Sequence, residues 1–271
     1  MKRLAPLALL ALLALSACDR LSKAEPEKTS KKPSAGAKPP AKLKSKTRAA
    51  PAPAVPEHAA EARRYVVPFA WEASQQEPLA QARSFLKEIL TDNRVYMEHG
   101  PRFFAAFADG QKPRATVVTC SDSRVHTPAF DTTPENDDFM IRNIGNQLEN
   151  SAGSVEYGVE HLETPVLMIL GHTGCGAVKA GLGDISGQSA PVRKELETLR
   201  LPKPKAGASL EVAWTGAVLA NVHNQVELAL RHFGGRVQEG KLTVVGAVYD
   251  FRNDLGNGAG KLTIVDVNGN S

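Results

Sequence analysis

The segment 171–178, Gly-His-Thr-Gly-Cys-Gly-Ala-Val, constrains the fold of this chain more than any other stretch. The apolar run Val166–Leu170 before it is typical of a buried strand, and the residues that follow favour a helix. His172 and Cys175 therefore lie three residues apart on a strand-to-helix turn, which the neighbouring glycines allow to be tight. A helix N-terminus also favours a thiolate over a thiol. An imidazole and a thiolate are zinc ligands, but two ligands do not complete a site.

A third ligand is predicted at Cys120, which follows the short β-branched run 116–118. Because a parallel sheet brings the carboxyl ends of its strands together, Cys120 is expected beside His172 and Cys175. Three protein ligands with an open fourth position are the pattern of a catalytic zinc. The alternative is a disulfide between the two cysteines, since an exported chain meets oxidising conditions.

The motifs Cys-Ser-Asp-Ser-Arg at 120–124 and His-Thr-Gly-Cys-Gly at 172–176 resemble the zinc signature of the β-class carbonic anhydrases. Further segments resemble that family in the expected order, at 111–114, 139–146, 155–162 and 246–250. The resemblance covers residues 78–266, and its paired motifs are highly specific. It implies an α/β fold with a mainly parallel central sheet flanked by helices and an N-terminal helical arm.

The resemblance also implies a mechanism. One Zn²⁺ per subunit, held by Cys120, His172 and Cys175, would bind a hydroxide that attacks CO2 and gives bicarbonate. Asp122 and Arg124 resemble the catalytic dyad of the family, in which the arginine holds the carboxylate off the metal and the carboxylate accepts a proton. In some members the same aspartate instead closes the zinc site, and the sequence leaves both forms open.

Five further positions match substrate-binding positions of the family, and an apolar pocket suits CO2 because it has no net dipole. They are Gln111, Phe139, Ile144, Tyr157 and Gly176. For Ile144, ordinary core packing is an alternative. His126 stands where the family often has proline, and it is either a proton relay or an idle exposed imidazole.

The pattern of apolar residues predicts strands that alternate with helices, which favours an α/β fold with a mainly parallel sheet. Strands are expected at 116–120, 139–144, 165–170, 242–249 and 261–267. Helices are expected at 78–93, 151–162 and 210–233, and 186–207 is expected to hold a loop or a short helix. The first helix packs either on a partner subunit, as the resemblance implies for a homodimer or higher homo-oligomer, or on its own sheet.

The N-terminal part of the chain predicts export and a membrane anchor. Residues 1–18 read as a signal peptide that ends in Leu-Ser-Ala-Cys, similar to a bacterial lipoprotein signal in which Cys18 is lipidated. An ordinary signal cleaved near Ala17 is the alternative. Residues 19–65, rich in Lys, Pro and Ala, are expected to be a disordered tether, and 66–271 the catalytic domain. The predicted location is the cell envelope, facing the periplasm or the exterior.

Charge divides the chain between the tether and the domain. Residues 1–65 hold 14 of the 33 Lys and Arg residues but only 5 of the 29 Asp and Glu residues. The basic side chains therefore lack a folded, aromatic-bearing surface, which argues against a nucleic-acid partner. Two rival functions remain open: hydrolysis of CS2 or COS on the same scaffold, and a non-catalytic zinc-binding module.

Overall fold

The computed structural model describes residues 77–99, 101–204 and 209–271, together with the isolated positions 59, 62, 72, 73, 75 and 207. The predicted signal peptide, Cys18 and nearly all of the predicted tether lie outside these residues. Residues 70–271 belong to one compact unit. Within the described ranges, every helix is too short or too polar to span a lipid bilayer.

A single five-stranded sheet forms the centre of this unit, in the order β2-β1-β3-β4-β5. Its strands are β1 Ala115–Cys120, β2 Asp138–Asn143, β3 Val166–His172, β4 Thr243–Asp250 and β5 Lys261–Val267. The first four are parallel, and β5 pairs with β4 in the antiparallel sense. The prediction of a mainly parallel α/β sheet is confirmed.

Six α-helices are found among the described residues. They are α1 Glu77–His99, α2 Pro101–Phe107, α3 Ala152–Glu156, α4 Gly176–Gly181, α5 Ala190–Glu197 and α6 Leu210–Gln238. Helix α6 lies across β3 and β4, and Val222 on its buried face has no solvent exposure. A Cβ atom at Gly171 or at Gly246 would come within 3 Å of Val222, so these two glycines let the helix approach the sheet closely.

All three predicted helices differ from the observed ones. The first, predicted over 78–93, begins at Glu77 and continues to His99. The helix predicted to end at Gly234-Gly235 continues to Gln238, with a kink at Phe233, where the backbone is non-helical. It continues because Val237, in the last turn, still packs against the core. The helix predicted over 151–162 is broken into a 3₁₀ turn, α3 and a π-helical turn, Tyr157–His161, closed by the bond from the Leu162 N–H to the Tyr157 carbonyl.

The parallel register places the chemistry-bearing residues at one edge of the sheet. Cys120, the last residue of β1, pairs with Asn143 at the end of β2. On the other side of β1, Thr119 pairs with Leu170, so the strand ends that carry Cys120 and His172 lie side by side. The turn into α4, which carries Cys175, follows directly.

Candidate metal centre

Three buried side chains converge at the carboxyl edge of the sheet. The ligand atoms of Cys120, His172 and Cys175 all lie within 4.8 Å of one another. The two cysteines are free thiols with their Sγ atoms 3.9 Å apart, so the disulfide considered from the sequence is absent from this part of the chain. The donor set of two sulfurs and one imidazole suits Zn²⁺.

The orientation of His172 fits a metal ligand. Its Nδ1 lies 2.9 Å from the Thr173 carbonyl, which can only accept, so Nδ1 carries the proton. Nε2 is therefore left with its lone pair directed at the cluster, and this atom is buried without a hydrogen-bond partner among the described residues. A buried polar atom without a partner costs about 1–3 kcal/mol. A metal ion bound to Nε2 would remove that cost.

The two thiols affect each other's ionisation. A hydrogen bond from Cys175 lowers the pKa of Cys120, and the Gly145 N–H, which lies 3.4 Å from the Cys120 sulfur, acts in the same direction. The same contact between the sulfurs raises the pKa of Cys175. Protons alone therefore favour one thiolate in this cluster, whereas a divalent cation would allow both thiols to ionise.

Cys175 is positioned by the surrounding backbone and by a tryptophan. It is the N-terminal capping residue of α4, with an extended backbone. Its carbonyl accepts a 2.8 Å bond from the indole Nε1 of Trp214, on α6. The guanidinium of Arg252 and the amino group of Lys179 both lie over the Trp214 ring, at 4.9 and 4.6 Å from its centroid. This role of Trp214 was not predictable from the sequence, because no local pattern shows which turn a distant helix contacts.

A buried carboxylate fixes the other end of the same turn. Asp250, at the end of β4, is fully buried and accepts a 2.9 Å bond from the Thr173 hydroxyl. It also accepts bonds from the N–H groups of Asp254 and Leu255. Burial alone would raise the pKa of Asp250, but these donors lower it, so the group stays ionised. Thr173, the neighbour of His172, is thereby tied to β4.

Asp122 and Arg124 form a bidentate ion pair beside the three ligand side chains. Arg124 donates from Nε to Oδ1 at 2.8 Å and from Nη2 to Oδ2 at 2.6 Å. The Arg124 hydrogen bond holds the pKa of the Asp122 carboxyl well below its usual range, so Asp122 is ionised at neutral pH. Its Oδ2 lies 3.9 Å from the free Nε2 of His172. The Phe251 ring lies against His172 and Arg124: it stacks on the imidazole, and its centroid is 4.5 Å from the guanidinium carbon.

The predicted substrate-binding residues divide between the two ends of the sheet. Ile144 and Gly176 lie at the metal end: Ile144 follows β2, and Gly176 is exposed with open space above its Cα. Phe139 pairs with Thr116, four residues before Cys120, which is about 13 Å along the strand.

The other predicted substrate-binding residues lie at the far end of the sheet, opposite the metal ligands. The rings of Tyr157 and Phe139 are 5.8 Å apart, and Gln111 precedes β1 in an exposed loop. Gln111, Phe139 and Tyr157 therefore lie away from the metal ligands of their own chain. His126 is exposed, on the loop that follows Arg124.

The sequence profile of the carbonic anhydrases matches residues 115–257, which include all three ligands and the ion pair. This chain belongs to the carbonic anhydrase family. It is 30% identical over 168 residues to carbonic anhydrase 2 of Mycobacterium tuberculosis, a match that covers 56% of this chain and 81% of that relative.

Solved structures of β-carbonic anhydrases share the fold. The Coccomyxa enzyme, solved in complex with acetazolamide, is 25% identical, with coverage of 72% of this chain and 88% of that one and a TM-score of 0.52. A tetrameric enzyme of the fungus Sordaria macrospora is 22% identical, with coverage of 67% and 97% and a TM-score of 0.57. The fold of this family member is therefore that of the β class.

We expect replacement of either cysteine ligand to remove the metal. Cys120→Ser and Cys175→Ser each exchange a thiolate for a hydroxyl, which is a poor zinc ligand at neutral pH. Elemental analysis of the purified proteins should show zinc in the wild type and little in either variant. Cys18→Ser, the same change at the third cysteine of the chain, is the matched control and should keep its zinc. Full zinc occupancy in Cys120→Ser and Cys175→Ser would refute the ligand assignment.

Proposed function

We propose that this protein catalyses the reversible hydration of CO2 to bicarbonate and a proton, with one Zn²⁺ per subunit held by Cys120, His172 and Cys175. The observation that carries the proposal is the pairing of three convergent ligand atoms with an ionised carboxylate 3.9 Å from the free imidazole nitrogen. Zinc bound there would supply a Lewis acid, which lowers the pKa of a water molecule and so provides a nucleophile.

The ion pair supplies the proton-handling group in this proposal. Both oxygens of Asp122 accept from Arg124, and Arg124 is itself anchored to the Gly174 carbonyl by a 3.1 Å bond. The carboxylate is thereby held at a fixed distance from His172 and stays ionised, and Oδ2 keeps a lone pair besides the one that Arg124 occupies, so it is able to accept a proton through a hydrogen bond. This arrangement favours the open form of the site over the form closed by aspartate.

We expect Asp122→Asn to retain zinc but to lose most activity. The amide keeps the shape of the side chain but cannot accept a proton as a carboxylate does, and loss of such a contact lowers rates by about 10²-fold. The measurement is zinc content together with the CO2 hydration rate.

The matched control for Asp122→Asn is Glu227→Gln, which neutralises an exposed carboxylate paired with Arg231. It should hydrate CO2 at the wild-type rate. An Asp122→Asn protein with bound zinc and wild-type activity would fit a different mechanism, and the role of Asp122 as proton acceptor would have to be withdrawn. A metal-loaded wild type that does not hydrate CO2 would instead favour the non-catalytic zinc module.

We further propose that the active protein is a homodimer or a larger homo-oligomer. Helix α1 carries large apolar side chains that the rest of the described chain leaves exposed: Phe85, Ile89, Leu90 and Met97, each 46–63% exposed. An apolar face of this kind favours contact with another protein surface. The relative from Sordaria macrospora is described as tetrameric, which supports self-association.

Self-association also accounts for the two groups of predicted site residues. Tyr157 is 44% exposed at the end of the sheet opposite the metal ligands, together with Phe139 and Gln111. A two-fold interface that places these residues of one subunit against the metal end of the other would do so twice, and would give two equivalent sites. We propose that the partner subunit's Tyr157 and Phe139 form the apolar wall for CO2 next to the metal.

Mixing two inactive variants tests this shared site. Cys120→Ser should disable the metal half of a subunit, and Tyr157→Asp should disable the apolar half by placing a charge where CO2 would bind. A mixed dimer would contain one site built from two intact halves, so random exchange of subunits should restore about a quarter of the wild-type rate.

The control for subunit mixing is Cys120→Ser with Cys175→Ser, both in the metal half. This mixture should remain inactive. If Cys120→Ser and Tyr157→Asp also remain inactive after their subunits have exchanged, each site is built within one chain.

Export and anchoring through a lipidated Cys18 are the remaining proposals. They are supported by the basic start, the Leu- and Ala-rich core and the Leu-Ser-Ala-Cys end of residues 1–18, followed by the basic segment 19–65. The location proposed is the cell envelope, facing the periplasm or the exterior.

Lipidation predicts that the wild-type protein incorporates labelled fatty acid and sediments with membranes, because stable anchoring requires the acyl chains. Cys18→Ser should do neither. Cys120→Ser, tested in the same way, should still be lipidated and serves as the control. Absence of label from the wild type would contradict the anchor.

A further inference from the structure

We infer that Arg142, on β2, is a positioning residue of the metal centre, because its guanidinium holds the backbone that carries Cys120 and Asp122. This inference rests on the proposed function, since the loop after β1 supplies both a metal ligand and the proton acceptor. Arg142 itself touches neither the ligand atoms nor the Asp122 carboxylate.

All hydrogen bonds found for the Arg142 guanidinium go to backbone carbonyls of this loop. The two hydrogens of Nη2 are shared among three carbonyls, at distances of 2.9 Å to Cys120, 2.9 Å to Asp122 and 2.5 Å to Val125. Nε donates to the Cys120 carbonyl at 3.1 Å. Within the described chain no carboxylate forms a salt bridge with Arg142. The charge of this partly buried side chain is therefore directed at the loop alone.

The loop needs such a donor because of how the backbone turns. Beyond Ser121, whose N–H still donates to the Asn143 carbonyl, the chain leaves the sheet. It then folds so that the carbonyls of Cys120, Asp122 and Val125 point at one region. Three converging carbonyl dipoles repel one another, and loss of Arg142 would remove a donor from each of them, although the Asp122 carbonyl would keep its bond from the Val125 N–H. A cationic donor offsets both effects, because hydrogen bonds to a charged group are the stronger ones.

Two arginines thus bind different parts of Asp122. Arg124 binds its carboxylate, whereas Arg142 binds its carbonyl and so fixes the main chain from which the carboxylate projects. Val125, which has no solvent exposure, anchors the far end of the same loop in the core. The distance from Asp122 to His172 therefore depends on a side chain of the neighbouring strand.

Lysine is not equivalent to arginine at this position. The planar guanidinium reaches the Cys120 carbonyl through two nitrogens while one of them also serves the other two carbonyls. An ammonium group keeps the charge, but its donors radiate from a single atom on a different stem. Arg142→Lys should therefore retain part of the function that Arg142→Ala loses.

The test uses the full-length protein loaded with Co²⁺, whose absorption spectrum reports the geometry of thiolate and imidazole ligands. In Arg142→Ala the spectrum should change, and the metal should be lost to a chelator about 10–100-fold faster than from the wild type. Arg142→Lys should fall between the two. The matched control is Arg236→Ala, which removes a partly buried arginine paired with Glu160, and it should match the wild type.

Chemical rescue separates positioning from general stability. Millimolar guanidinium chloride, far below denaturing concentrations, should slow metal loss from Arg142→Ala by refilling the site between the carbonyls, whereas the same concentration of sodium chloride should not. A merely destabilised protein would not be stabilised by guanidinium. Metal loss from Arg142→Ala that guanidinium leaves unchanged, or accelerates, would overturn the inference.

Three other results would also contradict the role of Arg142. An Arg142→Ala protein with the wild-type spectrum and release rate would show that Arg142 does not position the site. If Arg142→Ala does not fold, Arg142→Lys decides, because a wild-type spectrum and release rate in that variant would also contradict the inference. Failure of the wild type to bind Co²⁺ or Zn²⁺ at all would overturn the proposed function together with this inference, and is distinguishable from failure of the variants alone.

Discussion

The parallel pairing of β1 with β3 is the constraint on which the metal centre depends. Thr119 opposite Leu170 aligns the two strand ends, so Cys120 and His172 lie together although β2 and α3 separate them in the sequence. Cys175 then needs only the short turn into α4 to reach the same point. A shift of one residue in this register would turn the Cys120 side chain to the other face of the sheet and remove it from the cluster.

The residues around the three ligands hold them together against an unfavourable free energy. The buried Nε2 of His172 has no hydrogen-bond partner among the described residues, which costs free energy unless a metal ion binds it. Asp250 restrains the turn through Thr173, and Trp214 restrains the Cys175 carbonyl. The protein thus fixes the ligands from outside the cluster, so that a metal ion finds them already assembled. Metal binding should accordingly contribute to folding stability.

The strength of the local sequence signal determined how much of the site was predictable. The three ligands and the Asp122–Arg124 pair stand in short motifs whose residue types allow few other uses, and the structure brings them together. The strands were predictable for the same reason, because buried parallel strands are continuous apolar runs.

Other features depend on contacts that no local pattern encodes. The placement of Phe139 and Gln111 at the end of the sheet opposite the metal ligands follows from strand register. The π-helical turn Tyr157–His161 contains Gly158, where a Cβ would overlap the Thr116 side chain, a contact between distant parts of the chain. The role of Arg142 was likewise not predictable, because its partners are carbonyl groups of a loop on another strand. The glycine pair Gly234-Gly235 predicted the end of α6 too early, since core contacts outweighed the weak local preference.

X-ray absorption spectroscopy of the zinc-loaded wild type probes the metal centre most directly, because it reports the identity and distance of the atoms bound to the metal. We expect two sulfur ligands at about 2.3 Å and an imidazole nitrogen at about 2.0–2.1 Å. A ligand shell with no sulfur, or with a single sulfur, would contradict the assignment of Cys120 and Cys175 and with it the proposed zinc site.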